Sequence, residues 1–169
     1  MKKIVLAMLA VSVPVAPAQA ACWTAEQVSA AKVRDLDTML MVASLRCRHT
    51  NVAVLTSYNN YVVRHRKPLV SVNDTLRSHY AAPDKKAAMN AYDNYVTKVA
   101  NRYGAGAEGL GCDDMLSIVE AMSSEAPQVD ALIAVAERAG VQPYLDAPMC
   151  ERPFAAPALT TATAVIGRK

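Results

Sequence analysis

The sequence predicts an all-α fold: a single disulfide-stapled bundle of five to six helices over residues 21–150. Apolar residues recur every three or four positions through most of this span, as they do on the buried face of a helix. No convincing run of alternating apolar and polar residues, the pattern typical of a strand, interrupts them. The chain also has four cysteines, an even number that favours two disulfides in an exported protein.

Residues 1–20 have the layout of a secretory signal peptide. Two lysines are followed by an apolar run over residues 4–13, and the segment closes on a small-x-small pattern, Ala18 to Ala20. This layout predicts cleavage after Ala20. The mature protein is then expected to be periplasmic or secreted, with no transmembrane span.

Two alternatives to this cleavage stay open, and both are disfavoured. A retained membrane anchor would need about 20 apolar residues, and Pro14 and Pro17 break the run before that length is reached. Lipid attachment at Cys22 would need a large aliphatic residue three places earlier, where Gln19 stands. Acylation would also leave an odd number of thiols for pairing.

Charge and composition exclude some classes of partner. The whole chain has a net charge of +3, and removal of the two lysines of the signal leaves +1. This weak charge does not favour nucleic acid as a partner. The densest basic run, residues 64–67, precedes Pro68 and is interpreted as a solvated helix end. A tail over residues 151–169 is rich in Ala, Pro and Thr and is expected to be mobile.

The first helix is predicted from Thr24 to about Arg48, because Thr24 and Gln27 form a capping-box pattern. Its apolar positions are Leu36, Met39, Leu40, Ala43 and Cys47. A second helix covers about residues 52–67 and ends or bends at Pro68, which also suits the first turn of a third helix. The third helix presents Leu69, Val72, Leu76 and Tyr80 on one face.

Pro83 opens the predicted fourth helix, and Gly104 ends it. The apolar positions of this helix are Met89, Tyr92, Val96, Val99 and Tyr103. A fifth helix is predicted over about residues 113–123. A sixth begins at residue 124 or 125 and ends at Gly140, again at a glycine.

Helix geometry restricts how the four cysteines pair. Cys22 and Cys47 lie at opposite ends of the first helix, about 37 Å apart at 1.5 Å per residue, and a disulfide needs Cα atoms within about 7 Å. Two pairings remain. We favour Cys22–Cys150 with Cys47–Cys112 over Cys22–Cys112 with Cys47–Cys150, because the first ties the two ends of the domain. A redox or metal role is disfavoured, since the chain has no CxxC motif.

A segment of the predicted second helix is echoed in the fourth. SYNNYVVR, at residues 57–64, resembles AYDNYVTK, at residues 91–98. One interpretation is that two helices pack alike, with tyrosine hydroxyls and asparagine amides meeting partners at the edge of the core. The other is an aromatic-lined groove between them that holds a sugar or another small ligand. The predicted ligand-contacting residues are Tyr58, Asn60, Tyr61, Tyr92, Asn94 and Tyr95.

The loop after the fourth helix contains two motif-like segments. GAGAEG, at residues 104–109, satisfies GxGxxG, but the dinucleotide fingerprint must follow a strand, so a helix end is the better interpretation. GAEGL, at residues 106–110, resembles a segment of lysozyme-like lytic transglycosylases, which are helical, exported enzymes that cleave peptidoglycan. That family's catalytic glutamate has no counterpart here. Asp93 is one place out of register, and Glu108 would have to be buried to act as a general acid.

As a whole, the chain resembles small exported α-helical four-cysteine proteins of proteobacteria. The resemblance rests on CW at residues 22–23, DLDTMLMVASLRCR at residues 35–48, the echoed segments and the single cysteines at 112 and 150. It implies a helical exported domain and no particular activity. Similar chains sometimes carry the label S-adenosylhomocysteine hydrolase, but that enzyme family has a Rossmann domain, and no βαβ pattern occurs in this sequence.

The sequence favours a non-enzymatic binding or structural protein of the cell envelope. Its expected partner is an unknown envelope protein or a small ligand. The alternatives are a small-ligand or haem-binding bundle and a peptidoglycan-cleaving enzyme. Because His49, His65 and His79 are scattered and form no HExxH motif, we predict no metal and no other cofactor.

Overall fold

The computed structural model describes residues 22–150, so the predicted signal peptide and the predicted tail lie outside the described residues. Within them the chain forms six α-helices. The only strand-like contact in this part of the chain is a parallel bridge between Trp23 and Met149. The predicted all-α bundle is therefore confirmed. Its helices are α1 (Ala25–Cys47), α2 (Val52–Arg64), α3 (Arg66–His79), α4 (Lys85–Arg102), α5 (Cys112–Ser124) and α6 (Val129–Arg138).

The first helix, α1, lies at the centre of the bundle and contacts each of the other five. Its buried residues surround the helix instead of forming one stripe, as is expected of a helix enclosed by neighbours. Fully buried apolar residues of α1 include Ala31, Val33, Leu36 and Leu40. The same helix also buries the carboxylates of Asp35 and Asp37. Polar side chains from the outer helices therefore converge on α1.

Local signals fix the ends of two helices as predicted. At the start of α1, the Gln27 amide N–H donates to Thr24 Oγ1 at 3.2 Å, and the Thr24 amide N–H donates to Gln27 Oε1 at 3.0 Å. This is a complete capping box. After α6, Gly140 has a φ of +66°, and the Val141 amide N–H donates to the Ala136 carbonyl at 3.1 Å. Glycine suits this left-handed position because it has no Cβ.

Two predicted helix boundaries were wrong, and proline explains both. The second helix ends at Arg64, not at residue 67, and α3 begins at Arg66. Pro68 has no N–H for the Arg64 carbonyl and would clash with it, so the break falls before the proline. The sixth helix begins at Val129, not at residue 124 or 125. Pro127 keeps the residue before it out of the helical region, which delays the start.

Two disulfides connect distant parts of the described chain. Cys22 bonds Cys150 and Cys47 bonds Cys112, with Cα–Cα distances of 4.8 and 5.7 Å. This is the pairing favoured from the sequence, and α1 runs without a break from Ala25 to Cys47, which keeps Cys22 far from Cys47 as that reasoning required. Next to the first disulfide, the Trp23 amide N–H donates to the Pro148 carbonyl, and the Cys150 amide N–H donates to the Trp23 carbonyl, both at 2.9 Å. The two ends of the domain are thus joined.

Candidate functional site

The residues predicted to contact a ligand do not form one site. The echoed helices α2 and α4 both pack on α1 and do not contact each other. Asn60 and Asn94 are exposed, while Tyr61 and Tyr95 are buried in the core. The hydroxyls of these two tyrosines have no hydrogen-bond partner among the described residues. A ligand contact at these four positions stays a prediction.

Tyr58 and Tyr92, the other two predicted residues, approach one ion pair on α1. Arg34 Nη1 donates to Asp37 Oδ2 at 3.1 Å, and the Tyr58 hydroxyl donates to Asp37 Oδ1 at 3.3 Å. The Tyr92 hydroxyl donates to Asn73 Oδ1 at 3.0 Å. Burial raises the pKa of the Tyr92 hydroxyl. The positive charge of Arg34 lowers this pKa, and the negative charge of Asp37 raises it. We call these five residues the Arg34–Asp37 cluster.

A cavity of about 220 Å³ lies beside this cluster, between α1, α2 and α3. We call it the α1–α3 cavity. Its apolar lining comes from Met41, Val62, Leu69 and Val70. Its polar lining comes from Arg34, Asp37, Tyr58, Arg66 and Asn73. The cavity therefore combines a branched aliphatic surface with guanidinium, carboxylate, hydroxyl and amide groups, the mixture typical of small-molecule sites.

Asp37 is the most deeply buried charged group of the α1–α3 cavity, with 7% of its side chain exposed. Burial raises the pKa of this carboxyl group, and the nearby guanidinium of Arg34 and the hydrogen bonds from Tyr58 and Arg34 partly oppose that effect. Burial, followed by the charge of Asp37, raises the pKa of the Tyr58 hydroxyl. Tyr58 therefore stays a hydrogen-bond donor to Asp37 at neutral pH.

The carboxylates near the α1–α3 cavity and in the glycine-rich loop bear on the peptidoglycan-cleaving alternative. Glycoside hydrolysis uses a pair of carboxylates that flank the scissile bond, and Asp37 is the only carboxylate among the described residues that line this cavity. Asp93 and Glu108, the carboxylates considered for a transglycosylase, are both exposed. Neither lies in the apolar surroundings in which a carboxylic acid serves as general acid near neutral pH.

A second polar cluster surrounds Trp23 and was missed in the sequence. Trp23 Nε1 donates to Asp146 Oδ1 at 3.2 Å, and the Tyr80 hydroxyl donates to Asp146 Oδ2 at 2.9 Å. The His79 ring stacks on Trp23 with 3.9 Å between centroids. Burial lowers the pKa of His79, and the charge of Asp146 partly offsets this. These contacts hold the end of the domain against its start, which is a structural role.

Asp35, on α1, forms a third cluster. Its carboxylate accepts hydrogen bonds from the Tyr103 hydroxyl, from Arg102 Nη1 at 2.8 Å and from the Tyr144 amide N–H at 2.9 Å. The side chain of Asp35 is fully buried. Because α4 and the segment after α6 both donate to this carboxylate, Asp35 connects them to the central helix. Its oxygens are occupied by the protein, so this cluster also serves the fold.

The surroundings of His65 and of the glycine-rich loop are protein groups and a preceding helix. His65 is buried, with Nδ1 3.1 Å from the Tyr61 carbonyl oxygen and Nε2 3.3 Å from the Glu125 carbonyl oxygen. No group of three or more His, Cys, Asp or Glu side chains in residues 22–150 is arranged to hold a metal ion. The GxGxxG segment at residues 104–109 follows α4 instead of a strand, so it lacks the context of a dinucleotide site.

Comparison with known proteins gives no match: no family model, no curated protein and no solved structure is similar to the chain. In the part of the chain that the structure describes, no helix is both long enough and apolar enough to cross a membrane. Function is therefore inferred from the α1–α3 cavity and from the disulfides.

Proposed function

We propose that the protein is an exported, non-enzymatic binding protein that holds a small ligand in the α1–α3 cavity. The observation that carries this proposal is the lining of the cavity, in which Arg34, Asp37 and Tyr58 lie beside the aliphatic side chains of Val62 and Leu69. Apolar surface combined with a few fixed polar groups is typical of small-molecule sites.

Hydrogen bonds already hold the polar groups of this lining in place. Arg34 Nη1 is hydrogen-bonded to Asp37, and Asp37 is in turn held by Tyr58. Both residues lie on the central helix α1, which contacts each of the other five helices. A binding group that is held in place before the ligand arrives loses less conformational entropy on binding.

Export is supported by the cysteines and by the predicted signal peptide. All four cysteines of the chain are paired in the two disulfides. Disulfides persist in oxidising compartments such as the periplasm or the extracellular space and are rare in the cytosol. Fractionation of cells that express the full chain tests this part. Recovery of the intact, uncleaved chain from the cytosol with free thiols would contradict it.

Binding is tested with a matched pair of variants on α2. Val62 lines the α1–α3 cavity, whereas Val63 is its neighbour in sequence and is 78% exposed. A library of small acids, amines and sugars is screened by ligand-detected NMR against the wild type, Val62→Phe and Val63→Phe. We expect at least one compound to bind the wild type and Val63→Phe, and to lose binding to Val62→Phe because the added ring fills the cavity.

The proposal fails if no compound binds, or if the bound compounds are indifferent to Val62→Phe. A circular dichroism spectrum and a urea unfolding curve of each variant show whether it is folded. Should Val62→Phe unfold, Val70→Leu, which adds a single methylene to the cavity lining, takes its place. The control Val63→Phe separates filling of the cavity from a general effect of a larger side chain on α2.

A further inference from the structure

We infer that the ligand of the α1–α3 cavity is a short aliphatic carboxylate. This inference rests on the proposed function, since it names the chemical class of ligand for the same cavity. It follows from the hydrogen-bonding groups that the protein leaves without partners, from the charge of the lining, and from its apolar surface and volume.

Hydrogen-bond donors exceed acceptors around this cavity. The two oxygens of Asp37 accept from Tyr58 and from Arg34. Asn73 Oδ1 accepts from Tyr92, whereas Asn73 Nδ2 donates to no group among residues 22–150. A ligand that brings an acceptor can therefore pair with Asn73 Nδ2, whereas an ammonium group would compete with Tyr58 and Arg34 for Asp37.

The charge of the lining favours an anion with a single charge. Arg34 and Asp37 form an ion pair with 3.1 Å between Nη1 and Oδ2, and so cancel each other. Arg66 also lines the cavity and makes no ion pair within the described residues. One unpaired guanidinium matches one carboxylate, whereas a phosphate dianion would need further cations. Guanidinium and carboxylate groups form short, charge-assisted hydrogen bonds.

The apolar lining and the volume of the cavity indicate the chemistry and the size of the rest of the ligand. Met41, Val62, Leu69 and Val70 offer thioether and branched aliphatic surface without polar atoms. The volume of about 220 Å³ is below the roughly 300–1,000 Å³ typical of sites for drug-sized ligands. A short alkyl chain fills such a space and buries apolar surface there. A sugar would leave several hydroxyls against these aliphatic side chains without partners.

Isothermal titration calorimetry with three probes of equal chain length tests this inference. Hexanoate, hexanol and hexylamine differ only in the anchoring group. We expect hexanoate to bind, hexanol to bind at least about tenfold more weakly than hexanoate, and hexylamine not to bind. Only the carboxylate gains charge-assisted hydrogen bonds. Hexanoate affinity should fall about tenfold or more in Arg66→Gln, which removes the unpaired charge.

Lys67→Gln is the matched control, because Lys67 is exposed, adjoins Arg66 on α3 and does not line the cavity. It removes the same charge from the protein. An equal loss of hexanoate binding in both variants would mean non-specific attraction and would overturn the inference. Equal or tighter binding of hexanol or hexylamine would overturn it as well, but the proposed binding function would stand. If none of the three probes binds, the carboxylate inference is wrong, and the library screen with Val62→Phe decides the proposed function separately.

Discussion

Removal of either disulfide should destabilise the protein by about the same amount, although one bond spans a much longer stretch of sequence. Cys47–Cys112 closes a separation of 65 residues and lies inside Cys22–Cys150, which closes 128. When the inner bond is intact, it shortcuts 65 of the 128 residues between Cys22 and Cys150. The outer bond then closes a loop of about 63 residues, the difference between the two separations. In the chain-entropy model a loop of either size is worth about 4 kcal/mol.

The perturbations are two double variants, Cys47→Ala with Cys112→Ala, and Cys22→Ala with Cys150→Ala. Each should lose about 4 kcal/mol of unfolding free energy relative to the wild type, and the two losses should agree within about 1 kcal/mol. Urea unfolding is followed by far-ultraviolet circular dichroism and by the fluorescence of Trp23, the one tryptophan of the chain, which is fully buried. Coincident transitions by both probes would indicate two-state unfolding.

One result would refute this reasoning. If the variant without the outer bond loses less than about 1 kcal/mol while the variant without the inner bond loses its full share, the two ends do not restrain the unfolded chain as the loop argument requires. A red-shifted Trp23 emission in the absence of urea would instead show that the terminal segment has detached locally. The fluorescence transition would then precede the circular dichroism transition, and the loss could not be assigned to global unfolding.

The remaining predictions concern protonation and packing. Because burial raises the pKa of Asp37 above 3.8, ionisation destabilises the fold, so Asp37→Asn should gain stability relative to the wild type as pH rises from 3.8 through the raised value. Urea titrations at a series of pH values check this, and a difference that stays constant with pH contradicts it. Burial lowers the pKa of His79 below 6.5, so its stabilising contribution is complete above pH 6.5 and is lost as pH falls through the lowered value. In His79→Gln the unfolding free energy should therefore fall less steeply as pH drops below 6.5. An unchanged slope would mean that other groups cause the loss of stability in acid. Leu40→Ala should cost about 2–5 kcal/mol and Leu45→Ala at most about 0.5 kcal/mol, since the two side chains of α1 are 0% and 55% exposed; equal costs by urea unfolding would contradict the central position of α1.

The features that could be predicted from the sequence are those set by local chemistry. Thr24 and Gln27 lie within one turn, so their capping box fixes the start of α1 whatever surrounds it. One rigid element excluded one of the three cysteine pairings, because an uninterrupted helix keeps Cys22 away from Cys47. The preference between the other two rested on joining the two ends of the domain. The boundaries that were wrong depend on how far a proline acts on the residues before it. Pro68 was taken to end or bend the second helix and to suit the first turn of the third, and Pro127 was not considered for the start of the sixth.

The polar clusters could not be predicted, because their members are distant in sequence. Trp23 and Asp146 are separated by 123 residues, and the orientation of Asp37 toward Tyr58 depends on how α1 and α2 pack. Only the single tryptophan next to a cysteine could have signalled the Trp23 cluster. The echoed segments carried a local signal of a different kind. Tyr61 and Tyr95 are both buried, as two similarly packed helices would require, but their hydroxyls have no partner among the described residues, contrary to that interpretation.

The nesting of the two disulfides has a consequence for the order in which the protein is oxidised. If the chain is exported as proposed, it enters an oxidising compartment amino terminus first, so Cys22 and Cys47 arrive before either of their native partners, Cys150 and Cys112. A bond between the two early thiols is compatible with an unfolded chain and incompatible with an intact α1. Thiol–disulfide exchange must then undo it. Maturation is therefore expected to depend on a disulfide isomerase, and cells without one should accumulate the mispaired Cys22–Cys47 form.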